Sequence, residues 1–135
     1  MKPDEHLHIV ILAAVWALLP VIISAVLVVV SWQGASGRLK RNKTSGFRTP
    51  TTMRSDQAWI AAHRAALRLT PLFVIMTVAI WGVLLETVWH GSSVTGIIVV
   101  GLGSAAVIVA VVLFAAYVAG RAAKSVDDHH DGWPQ

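Results

Sequence analysis

Three long apolar runs constrain this chain more than any other feature. Residues 9–30, 71–85 and 94–120 contain no Asp, Glu, Lys or Arg. A bilayer core of about 30 Å is crossed by about 20 helical residues. An unpaired backbone group inside it costs several kcal/mol, so each run must close its own hydrogen bonds as a helix. The second run is the shortest, and it reaches Trp89 if Glu86 sits at the interface. Only 13% of the 135 residues are charged, against about 25% in soluble domains. The expected fold class is therefore all-α: an integral membrane protein with three transmembrane helices plus a cytoplasmic amphipathic helix. We expect one membrane domain over residues 1–135. Its spans lie at about 9–32, 70–90 and 94–120, with a loop at 33–69 and a tail at 121–135. The chain has no cysteine, which excludes disulfides and Cys-ligated metals.

The charges fix an orientation. Arg38, Lys40, Arg41, Lys43, Arg48, Arg54, Arg64 and Arg68 all fall in the first loop, with Asp56 as its one acid. The positive-inside rule places this loop in the cytoplasm. The N-terminal flank (Lys2, Asp4, Glu5) is then outside, as is the turn between Glu86 and Ser93. The C-terminus, with Arg121 and Lys124, is inside. The first run is too long for the apolar part of a signal peptide, and the basic residues behind it resist export. Trp32, Trp89 and Trp59 are candidates for interfacial belt positions.

The loop carries more than charge. Gly34-Ala35-Ser36-Gly37 should end the first helix. The cations that follow can gain about 1 kcal/mol each from anionic lipid head groups. Gly46 suits a tight turn at positive φ. Arg48-Thr49-Pro50 reads as extended, because a residue before proline avoids the α region. Ser55 is a good N-cap, with Asp56 favoured by the dipole of the following helix. Trp59, Ala62, Ala66 and Leu69 then recur with helical spacing, which predicts an amphipathic helix over about 56–69 at the cytoplasmic interface. Pro71 starts or kinks the second span. Trp59 and His63 share a face, and two readings stay open. In one, Trp59 anchors in the interface beside a solvated His63. In the other, Arg48, Thr49, Thr52, Trp59 and His63 form one polar cluster. There Arg48 clamps a carboxylate, a lipid phosphate or helix-end carbonyls, or the loop simply folds back on the helix ends.

Asn42, Gly46, Phe47, Arg48, Thr49, Pro50, Thr52, Ser55, Trp59, His63 and Arg64 form a spaced pattern that resembles the SdpI immunity-protein family. With its flanking helices the resemblance covers roughly residues 10–90. It implies a non-enzymatic bacterial inner-membrane protein. The family's best-known member protects its cell from a toxin of its own kin and holds a transcriptional repressor at the membrane when toxin is present. This chain is shorter than that member. The resemblance also marks Asn42, Gly46, Arg48, Thr49, Thr52, Trp59, His63 and Arg64 as candidates for binding a protein partner or lipid.

Other features point elsewhere. Glu86 and His90 share a helix face and have the chemistry to hold a metal or pass a proton, but a hydrated interfacial pair is the simpler reading. His129 and His130, among Asp127, Asp128 and Asp131, read as a solvated tail, and His6 and His8 as a wet flank. No catalytic residue, metal site or cofactor is expected, and no nucleic-acid partner. Small residues four apart (Ala13/Ala17, Gly101/Ala105, Ala106/Ala110, Ala116/Gly120) allow close helix approach, within the chain, in a homo-oligomer or onto a partner. The absence of charge at mid-bilayer argues against a transporter. The leading expectation is an SdpI-like protein whose loop engages a protein partner or anionic lipid, in toxin immunity or signalling. The alternative is a small accessory subunit of a larger cell-envelope or respiratory complex.

Overall fold

The computed structural model describes residues 3–91 and 93–127. The N-terminal residues Lys2, Asp4, Glu5 and His6 and the acidic–histidine cluster at 127–131 fall outside the residues whose side chains are described. Four helices follow in order: α1 (Pro3–Ala35), α2 (Asp56–Leu67), α3 (Thr70–Trp89) and α4 (Val94–Asp127). Three stretches are long and apolar enough to cross a membrane: Leu7–Ala35, Thr70–Trp89 and Val94–Val126. This is a multi-pass membrane protein, all-helical among its described residues.

The boundaries follow local chemistry. α1 ends where Gly37 takes φ +73°, a conformation that costs a residue with a side chain about 1–2 kcal/mol. α2 begins at its Ser55 cap, whose hydroxyl accepts from the Ala58 N–H. It stops at Leu67, two residues before the expected end, because the Thr70 hydroxyl bonds the Leu67 carbonyl and α3 starts at Thr70. Pro71 thus stands in the first turn of α3, where its missing N–H has no partner to lose. α4 does not end at Gly120, where the uncharged run ends. It continues through Arg121 and Lys124 to Asp127, with Ala115, Ala119 and Ala123 buried as one stripe.

The chain divides into two compact units. One comprises residues 1–24 and 72–111. Here Pro20 interrupts the α1 hydrogen-bond ladder, as proline must. In the disturbed turn the Ala17 carbonyl accepts from the Trp81 indole of α3 at 2.9 Å. Thr77 gives its proton to the Phe73 carbonyl, so Ser24 is the donor across to Thr77 at 3.0 Å. Gly101 lies directly against the Trp16 ring, where a Cβ would overlap the indole. This small residue serves contact within the chain, whereas Ala106 and Ala110 are exposed.

The other unit comprises residues 25–71 and 112–135. It holds the C-terminal ends of α1 and α4, the loop and α2. Its Ser31 hydroxyl is buried without a hydrogen-bond partner. An unsatisfied buried polar group costs about 1–3 kcal/mol. Ser31→Ala should therefore leave the detergent melting temperature unchanged or raise it, and a clear fall would show that the hydroxyl is bonded.

Candidate functional site

The loop is organised from its own polar side chains before it touches anything else. Asn42 accepts with Oδ1 from the N–H groups of Thr44 (2.9 Å) and Ser45 (2.8 Å) and donates with Nδ2 to the Lys40 carbonyl. Asn is suited to this local turn because its amide mimics a backbone unit. A second turn forms around Pro50. The buried Thr52 hydroxyl donates to the Phe47 carbonyl at 2.6 Å and accepts from the Thr49 N–H at 2.9 Å. Thr49 completes it, its hydroxyl accepting from the Thr52 N–H at 3.2 Å.

These turns are then pinned to α2. The Trp59 indole N–H donates to the Leu39 carbonyl at 2.9 Å. His63 bonds in both directions: its Nδ1 lies 2.8 Å from the Trp59 carbonyl, and its Nε2 lies 3.4 Å from the Phe47 N–H. A carbonyl can only accept and an N–H can only donate. The ring must therefore be neutral and carry its proton on Nδ1. Trp59 stacks obliquely on it with ring centroids 4.2 Å apart, and Phe47 closes the other side at 5.7 Å.

Two glycines make room for this ring. A Cβ on Gly34, in the last turn of α1, would collide with the imidazole. A Cβ on Gly46 would lie 2.6 Å from Nε2 and 2.7 Å from Trp59, and Gly46 also takes φ +100°. The expected breaker Gly34 thus has a packing role that spacing did not reveal. Gly120 of α4 passes the threonine turn closely enough that a Cβ there would lie 3.8 Å from the Thr51 hydroxyl.

His63 is 0% and Trp59 1% exposed. Neither reading with a solvated His63 or an interfacial Trp59 holds. The apolar face of α2, with Ala58, Ala62 and Ala66 also buried, meets the protein's own chain rather than lipid. The structure does bring Thr49, Thr52, Trp59 and His63 together. Arg48 and Arg64 are both exposed. Arg48 Nη1 donates to the Lys43 carbonyl within the loop. Arg41 bonds the Met53 carbonyl and pairs with Asp56 at 3.3 Å, an exposed pair of small energetic worth. Elsewhere, Glu86 and His90 form an exposed contact of 2.7 Å.

The family model of the SdpI/YfhL protein family matches residues 38–118. The chain belongs to this family. The matched region starts just after α1 and takes in the loop, α2, α3 and most of α4. It therefore lies further along the chain than the stretch that the motif and its flanks outline. No curated protein and no solved structure matches.

Burial holds the His63 pKa below the usual imidazole value of 6.5, and the bond to the Trp59 carbonyl offsets part of that. As pH falls, the unfolded chain takes up the proton first. Stability from this site is full above 6.5 and is lost as pH falls from there through the lower folded value. The melting temperature in detergent should drop between pH 7.5 and 5.5, and His63→Gln should be less stable but flatter with pH. An equal slope in both would place the titration elsewhere. Gly46→Ala should destabilise the loop by about 2 kcal/mol or more from backbone strain and collision, read as faster protease cleavage between residues 38 and 55 with membrane insertion intact.

Proposed function

We propose that this protein is a non-enzymatic member of the SdpI/YfhL protein family in a bacterial inner membrane. Its N-terminus lies outside and its basic loop inside, docking an acidic protein partner in toxin immunity or signalling. The observation that carries this reading is the pinning of the loop. A loop needed only for topology has no reason to bury a tryptophan and a histidine beneath it. Pinning fixes where Arg48 stands relative to Arg64 on α2, and a fixed guanidinium recognises a carboxylate pair better than a mobile one. In this reading Asn42, Gly46, Thr49, Thr52, Trp59 and His63 shape the surface, while Arg48 and Arg64 make the contact.

A second reading has its own support. In an apolar 18-residue stretch of each of the three spans, only 11% to 22% is buried within the chain. Such faces also suit an accessory subunit that docks in the bilayer plane.

Affinity capture in gentle detergent tests both. Arg64→Gln should lose the captured partner, and Arg48→Ala should weaken it, with insertion unchanged. A partner retained by both variants at fixed stoichiometry would favour the accessory subunit. Resistance conferred by the chain alone, and abolished by Arg64→Gln, would support immunity.

A further inference from the structure

The loop has an underside. Between α1 and α4 it roofs a cleft of about 490 Å³, within the roughly 300–1,000 Å³ typical of small-ligand sites. The walls are Val26, Leu27 and Val30 of α1 and Val112 and Ala116 of α4, and the roof is residues 44–49. We propose that this cleft binds one anionic glycerophospholipid, with an acyl chain between the helices and the phosphate at Arg48.

The cleft has two chemically different ends, which decides the class of ligand. The walls are aliphatic and belong to membrane-spanning helices. The roof presents Thr44, Ser45, Thr49 and Arg48. A soluble anion would leave the aliphatic part unfilled, and a plain hydrocarbon would leave the remaining N–H donors of Arg48 without an anion. An amphiphile satisfies both. Val26 is 54% exposed, so a chain can enter sideways from the bilayer without crossing water.

Charge complementarity decides the head group. Residues 36–55 contain Lys and Arg but no Asp or Glu. Arg48 has five N–H donors in a planar fork, and the Lys43 carbonyl takes one of them. A phosphate accepts two parallel bonds from such a fork. The roof is already ordered by Asn42, Thr52 and the His63 bond to Phe47, so binding pays little for loop ordering.

The experiment uses the full chain in mild detergent with equal amounts of phosphatidylglycerol and phosphatidylcholine of identical chains, read by native mass spectrometry. One phosphatidylglycerol should be retained, about tenfold over phosphatidylcholine, because both carry the phosphate but the choline cation cancels its charge and is repelled by the cations of the loop. Arg48→Gln should erase the preference. Ala116→Phe, which fills the cleft, should lower retention of both lipids. Arg64→Gln should bind lipid like the wild type, because Arg64 does not line the cleft; Arg64→Gln then loses the partner alone and Ala116→Phe the lipid alone, whereas Arg48 serves both. Equal retention of both lipids by the wild type would overturn the proposal. So would an unchanged preference in Arg48→Gln, or displacement by free glycerol phosphate as effective as by the lipid. If Arg48→Gln loosens the loop, as judged by protease cleavage, Ala116→Phe decides alone: undiminished phosphatidylglycerol retention there overturns the site.

Discussion

The imidazole of His63 accepts from the Phe47 N–H and donates to the Trp59 carbonyl, and the exposed part of the loop hangs from these two bonds. Phe47 is the residue before Arg48 and the one after Gly46. Its carbonyl, on the other side of the same residue, receives the Thr52 hydroxyl. Fixing Phe47 from both sides fixes Arg48. The ring fits because Gly34 and Gly46 leave it space, and it stays neutral because charging it under the loop means desolvation without an anion nearby. One uncharged side chain thus controls where a charged one stands.

The spans obey a different constraint. In lipid there is no hydrophobic gain from bringing helices together, so association rests on close packing and on polar groups that would otherwise go unpaired. Gly101 against Trp16 is an example of the first. The Trp81 bond to Ala17, in the turn that Pro20 disturbs, and the Ser24–Thr77 pair are examples of the second. These few contacts hold long helices whose outer faces stay largely apolar and exposed.

How much of this was legible in the sequence depends on the range of the interaction. The three spans were, because the bilayer imposes one rule on every residue in them. So were the Ser55 cap, the Gly37 stop and the place of Pro71, which are local events of one or two residues. The direction in which α2 faces was not. Its stripe of Trp59, Ala62 and Ala66 fits an interface helix as well as a packed one, and only the partners distinguish them. Gly34 read as a helix breaker because nothing in its neighbourhood announces His63, twenty-nine positions on. The family motif was visible as spacing, but the division between its buried members (Thr52, Trp59, His63) and its exposed ones (Arg48, Arg64) is a three-dimensional fact. The extension of α4 past Gly120 was hidden because the charges of Arg121 and Lys124 end the uncharged run, not the helix.

This division bears on which cations in the loop can carry specificity. Arg38 lies over Trp32 at 4.6 Å, and together with Lys40 it follows directly on the first apolar span. Such residues attract an anionic surface without choosing a partner. A residue becomes selective when its position is fixed before binding, because the entropy of ordering it is not charged against the complex. Truncating Trp59 would cost about 3–5 kcal/mol of packing and free the loop without removing one positive charge. Attraction to anionic membranes should survive that change, whereas recognition that depends on the placement of Arg48 should not.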